Sequence, residues 1–154
     1  MILKLEASPS ARPRLVVDAS VSLKWVFDDE DHVAHALALR EDGLSGRFQM
    51  IVPHLWQYEV ANGVVVGVRR GRVLPDQGAL AISSLQALGI PSLTPDFLDC
   101  YQLALRYRIA LYDASYVALA AELGAEFWTG DRKFFNAVSP DLSFVRWIGS
   151  YDPG

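Results

Sequence analysis

Five short apolar runs, separated by segments long enough for helices, constrain this chain more than any other feature of its sequence. They are Arg14–Asp18 (RLVVD), Gln49–Val52 (QMIV), Ile90–Leu93, Glu126–Thr129 (EFWT) and Ser143–Trp147 (SFVRW). Runs this short and this apolar suit strands buried on both faces, and parallel strands need crossover segments of helical length between them. The pattern predicts an α/β domain of three layers, with a central, mostly parallel five-stranded sheet flanked by helices. Helices are expected from Val21 brokenly to Arg40, with Ser20 as N-cap, and from His54 to Arg70, with Gly71 past the end. Others are expected from Asp76 to Leu88 between Pro75 and Gly89, from Asp96 to Tyr107, and from Tyr112 to Leu123 before Gly124. Right-handed crossovers leave the functional crevice of such a sheet at the carboxyl ends of its strands. Asp18 ends the first run and Asp131 lies just past Thr129, so both acids fall at that edge.

Two more carboxylates stand out by context. Glu59 (YEVAN) interrupts an apolar helix, and Asp113 (YDASYVALA) opens one. Each acid also has a purely local use: Asp113 as an N-cap, and Asp18 and Asp131 as turn residues. Together they pose a different problem, because clustered carboxylates raise one another's pKa unless a counter-charge is present. A hard divalent cation, Mg²⁺ or Mn²⁺, prefers oxygen ligands and keeps positions open for a phosphate oxygen and an attacking water. Metal-assisted hydrolysis of a phosphodiester is the reaction that such a cluster suits.

The segments VDASV, EVAN, YDASYVALA and TGDRKF, in this order from about Leu15 to about Trp147, resemble those of the PIN-domain nucleases, and most closely the VapC-like toxins of toxin–antitoxin pairs. The resemblance implies a PIN-like fold in which Asp18, Glu59, Asp113 and Asp131 line a Mg²⁺ site, with Mn²⁺ as a substitute, for RNA cleavage. It further implies a homodimer and inhibition by a cognate antitoxin. Ser20 and Thr129 match hydroxyl positions that support the acids, and Asn62 matches a polar position one helical turn after Glu59. The acidic stretch Asp28–Asp31 (DDED) and the segment Ala7–Arg14 are not signatures of that family.

Residues around the acids allow a functional and a plain use. Glu59 and Asn62 share a helix face, so Asn62 either orients Glu59 or a phosphate, or caps a kink near Gly63. Arg132 and Lys133, next to Asp131, are candidates for the RNA backbone; Arg69, Arg70 and Arg72, and likewise Arg106 and Arg108, are basic clusters that also suit solvated helix ends. Gly63 and Gly67 mark a close approach on the helix expected from His54 to Arg70, either by this chain's own core or by a partner's helix such as an antitoxin segment. His32, His35 and His54 form no credible metal set, and Cys100 reads as an inert core thiol. Trp25, Trp56, Trp128 and Trp147 read as core or interface aromatics.

Composition sets the outer bounds. Fourteen basic and eighteen acidic residues give a net charge of -4, so bulk charge repels nucleic acid and any RNA chemistry must come from a local site. One cysteine excludes a disulfide framework, and no run approaches the roughly 18 apolar residues of a membrane span. Both point to a cytoplasmic protein without a membrane partner. The nuclease domain is expected over residues 14–148, with a flexible lead-in over 1–13 and a tail over 149–154, loose from Tyr151 on. Two rival functions remain at this stage: a non-catalytic PIN-like module that binds RNA or protein, and a phosphohydrolase with Asp18 as covalent nucleophile. Against the latter, Asp18 is followed by Ala19 and Ser20, without a second acid two residues on.

Overall fold

The computed structural model describes residues 11–153; the expected lead-in therefore lies largely outside the described residues. Five parallel strands form one sheet in the order β3-β2-β1-β4-β5, with β1 at Arg14–Val17, β2 at Gln49–Pro53, β3 at Ser92–Leu93, β4 at Glu126–Thr129 and β5 at Val145–Trp147. The three central strands share one pattern: β1, β2 and β4 each begin with an exposed polar residue (Arg14, Gln49, Glu126) and are buried from there on. They therefore enter the core at one edge of the sheet and surface only at its carboxyl edge. β2 and β4 flank β1 on opposite sides, with Val16 paired to Ile51 and to Phe127. The strand order reverses between β1 and β4, which opens a crevice beyond their carboxyl ends.

Among the described residues seven α-helices cover the sheet: α1 (Ala19–Ser22), α2 (Val33–Leu44), α3 (Leu55–Arg69), α4 (Pro75–Ala87), α5 (Phe97–Tyr107), α6 (Leu111–Leu123) and α7 (Arg132–Val138). Residues Ala114–Ala120 of α6 are all buried, because the middle of that helix lies between the sheet and α5. None of these helices is long and apolar enough to cross a membrane.

Three local expectations are corrected. The helix after β1 begins at Ala19 with Asp18 as its N-cap residue, so Ser20 lies inside the first turn and is not the cap. That helix runs only to Ser22, passes into a 3₁₀ turn at Leu23–Trp25, and α2 begins anew at Val33 after His32, whose φ of 61° is left-handed. Asp113 is not an N-cap either: α6 starts two residues earlier, with Ala110 at the cap position, and Asp113 sits in the first turn. There it still benefits from the positive end of the helix dipole. Tyr151, expected in a loose tail, packs edge-on against Trp128 with ring centroids 5.1 Å apart and donates its hydroxyl to Asp42.

The glycine pair of α3 belongs to this chain's own core. A Cβ on Gly63 would lie 2.6 Å from Leu23 Cδ1, and one on Gly67 2.4 Å from Phe27 Cζ, so the segment after α1 fills the groove assigned by the alternative reading to a partner. Phe27 is buried between Gly67 and the Arg72 guanidinium, which lies 4.0 Å over its ring. Gly67→Ala gains about 1 kcal/mol of helix propensity but forces a ring out of a packed site, a cost of about 1–3 kcal/mol. The expected balance is a lower urea midpoint with an unchanged slope, measured by far-ultraviolet circular dichroism.

Candidate active site

The crevice is built by the chain segments leaving β1 and β4. The Asp18 N–H donates to the Trp128 carbonyl at 3.0 Å, which carries the β1–β4 pairing one residue beyond the strands. Asp18 and Thr129 are thereby brought side by side. Thr129 Oγ1 and Ser20 Oγ both donate to Asp18 Oδ2, each at 2.7 Å. The same hydroxyls accept from the next loop: Gly130 N–H donates to Ser20 Oγ at 2.8 Å and Asp131 N–H to Thr129 Oγ1 at 3.1 Å. Two hydroxyls thus fix the rotation of Asp18 and the path of the chain toward Asp131. Asp131 caps α7, its Oδ1 accepting from Phe134 N–H at 3.0 Å.

Glu59 and Asp113 approach from α3 and α6. Glu59 is held by Tyr116, whose hydroxyl donates to Oε1 at 2.9 Å. Tyr116 is fully buried and stacks on Phe127 of β4, with ring centroids 5.3 Å apart, so it ties α3 and α6 to the sheet through one side chain. Its phenol is strongly raised, first by burial and then by the charges of Asp18 and Glu59, so it acts as a fixed donor.

Three of the acids feel the charges of their neighbours. Burial holds the Asp18 carboxyl above its ordinary value, Ser20 and Thr129 oppose that, and the Asp131 charge adds to it. Burial pushes Glu59 up to about 7, against the Tyr116 hydrogen bond and with help from the Asp18 and Asp113 charges. Asp113 is pushed up to about 6 by burial and by the charges of Asp18 and Asp131. The carboxylates therefore share one electrostatic site. Among the described residues, however, no three acidic, histidine or cysteine side chains stand close enough to hold an ion as they lie.

The supporting residues divide. Ser20 and Thr129 are in the site. Asn62 is exposed on α3, and the hydrogen bond that orients Glu59 comes from Tyr116 instead. Arg132 and Lys133 are exposed at the start of α7, with the Arg132 guanidinium 4.0 Å over the Trp147 ring. Arg72 is committed to Asp29 and Glu30, away from any helix-end role. Sequence reasoning missed Tyr116 and Lys24, the latter buried with its Cε crossing Gly130. The i, i+3 step from Asp113 to Tyr116 was the available sign for the former.

The PIN domain profile matches residues 15–139. Ribonuclease VapC3 of Pyrobaculum aerophilum is 33% identical over 135 residues, covering 82% of this chain and 99% of that protein. Ribonuclease VapC9 of Mycobacterium tuberculosis and VapC ribonuclease Mb0985 of Mycobacterium bovis are each 31% identical over 117 residues, 76% of this chain and 85% of theirs. The crystal structure of PAE2754 from Pyrobaculum aerophilum superposes with a TM-score of 0.67 at 22% identity, over 88% of this chain and 90% of that one, a likeness of fold.

Proposed function

The chain belongs to the PIN-domain family, in its VapC-like branch, and on that premise we propose that it is a divalent-metal-dependent endoribonuclease, the toxin of a toxin–antitoxin pair. The observation that carries this reading is the electrostatic coupling of carboxylates from four separate segments at the carboxyl edge of the sheet. The donor set fits a hard cation: it is all oxygen, it is partly buried, and burial together with neighbouring negative charge raises Asp18, Glu59 and Asp113, which a bound positive charge would offset. Asp18, Glu59, Asp113 and Asp131 would hold Mg²⁺, with Mn²⁺ as a substitute. The ion supplies Lewis acidity, easing deprotonation of the attacking water and offsetting charge on the phosphate.

The protein's own side chains do the rest. Ser20 and Thr129 keep Asp18 in one orientation, and Tyr116 does the same for Glu59. Arg132 and Lys133 sit beside Asp131, where a strand drawn to the ion would pass. Ribonuclease names among the relatives support RNA as substrate. The exposed row Phe97, Leu98, Tyr101 and Leu105 on α5 supplies an apolar face for a second copy of the chain in a homodimer. A cognate antitoxin and action in the cytoplasm complete the reading.

Purified protein is expected to cut single-stranded RNA with Mg²⁺ or Mn²⁺, to stop on addition of EDTA, and to leave 5′-phosphate and 3′-hydroxyl ends. RNA binding and Mn²⁺ uptake without cutting would favour a non-catalytic module. A trapped phospho-aspartate at Asp18 would favour the phosphohydrolase.

A further inference from the structure

We propose that Lys24 binds a phosphate of the RNA strand next to the bond that is cut, and that Glu30 holds it in reserve until the strand arrives. This rests on the nuclease reading and adds to it a residue that none of the four acidic segments contains. Lys24 follows α1 in the 3₁₀ turn, and its side chain is only 7% exposed. A buried ammonium ordinarily has a close, well-satisfied partner. Here Glu30 Oε2, at 3.5 Å, is the hydrogen-bond partner among the described residues, a long contact for a group with three donors.

The path of the side chain points to the crevice. Lys24 Cε lies 2.8 Å from where a Cβ on Gly130 would be, and Gly130 stands between Thr129 and Asp131. The Gly130 backbone is not left-handed, so the glycine there is matched by the close approach of Lys24 and not by conformation. Lys24 and Arg132 line one cleft of about 480 Å³ with His32, Gly130 and Trp147, and the acids Asp29, Glu30 and Asp31 form its other wall, within the size range of ligand sites. A phosphate in that cleft would meet Lys24 and Arg132 together, one residue from the acidic edge of the site.

Glu30 can release Lys24 without being left uncompensated. Its other carboxylate oxygen, Oε1, lies 3.4 Å from Arg72, which also grips Asp29 through both Nε and Nη2. The acidic stretch is therefore anchored by Arg72 from the far side, and a phosphate can replace Glu30 on Lys24. In that arrangement Glu30 competes with RNA, and the DDED segment lowers affinity for strands that do not reach the cleft.

Fluorescence anisotropy with a labelled single-stranded RNA of mixed sequence, across a salt series, tests this beside the Mn²⁺ cleavage assay. Lys24→Met keeps the aliphatic stem and is expected to weaken binding about tenfold, the order of one charge-assisted hydrogen bond. It should also reduce the slope of log affinity against log salt by about 0.7, as for one phosphate contact on a single strand; Lys24→Arg should restore the slope. Glu30→Gln should strengthen binding several-fold, and should add nothing in the Lys24→Met background. If the pair were only structural, Lys24→Met and Glu30→Gln would move binding in the same direction and leave the salt slope unchanged, which overturns the proposal. An equal gain from Glu30→Gln in both backgrounds overturns the role given to Glu30. If the unaltered protein cuts RNA while the variants leave its RNA affinity and salt slope as they were, this inference alone falls; if it binds RNA without cutting, the nuclease reading falls and the salt slopes still decide for Lys24. No binding at all overturns both.

Discussion

Asp18→Asn protein is expected to lose RNA cleavage by about a thousandfold or more and, in EDTA, to unfold at a higher temperature than the parent. Both effects have one cause. Asp18 is buried at the junction of β1, β4 and α1, with its pKa raised by burial and by Asp131. An asparagine carbonyl accepts from Ser20 and Thr129 as the carboxylate does, so the hydrogen bonds that order the loop toward Asp131 persist. What disappears is the charge. Its loss relieves burial and repulsion, a gain of about 0.5–2 kcal/mol of the kind common where function demands a destabilised site. It also removes the buried member of the proposed ion-binding set. Asp113→Asn should lose activity to a similar degree with a smaller thermal gain, because Asp113 is only half-buried. RNA cleavage with Mn²⁺ and thermal unfolding in EDTA, run on both variants, check this. Full activity in a correctly folded double variant would remove the four acids from the mechanism.

The sequence carried the sheet and the acids for the same physical reason. Strands buried on both faces are largely apolar, so LVV and FWT stand out, and the first acids after them, Asp18 and Asp131, mark the carboxyl edge of the sheet. Helix boundaries were less legible because the signals overlap. Asp113 carries a capping residue's side chain, yet Ile109-Ala110-Leu111 already turns into the helix, and nothing in the pattern separates a cap from a first-turn acid. α7 went unread because seven residues offer too little periodicity, although Asp131 with Phe134 three positions on was a capping signal. Tyr116 was hidden differently. In the stretch Ala114–Ala120, buried throughout, no face distinguishes a tyrosine that orients Glu59 from one that only fills space. Lys24 is a tertiary matter altogether: its proximity to the site depends on Gly130, about a hundred residues away in the chain.

Stability of the metal-free protein is expected to fall as pH rises from mildly acidic to neutral, the reverse of the usual behaviour of paired carboxylates. Glu59 is raised from an ordinary 4.5 to about 7 in the fold, and Asp113 from 3.8 to about 6. Between each pair of values the folded chain keeps a proton that the unfolded chain has lost, so protonation favours folding there. That contribution is complete below the unfolded value and is gone above the folded one. The decline should therefore run from about pH 4 to about pH 7, its lower part set by Asp113 and its upper part by Glu59. Asp29 and Asp42, whose pKa values are lowered by Arg72 and by Tyr151, act in the opposite sense but only below their ordinary 3.8, outside this window. A divalent cation should invert the profile, because it needs the deprotonated oxygens: the rise in unfolding temperature on adding Mn²⁺ should grow with pH and vanish in acid. Glu59→Gln should flatten the metal-free decline between about pH 6 and pH 7 and weaken the Mn²⁺ response at neutral pH. Differential scanning fluorimetry over a pH series, in EDTA and in Mn²⁺, reads all of this without any RNA. A metal-free unfolding temperature that climbs through the same window would mean that these carboxylates do not oppose one another, and the shared site would have no electrostatic basis.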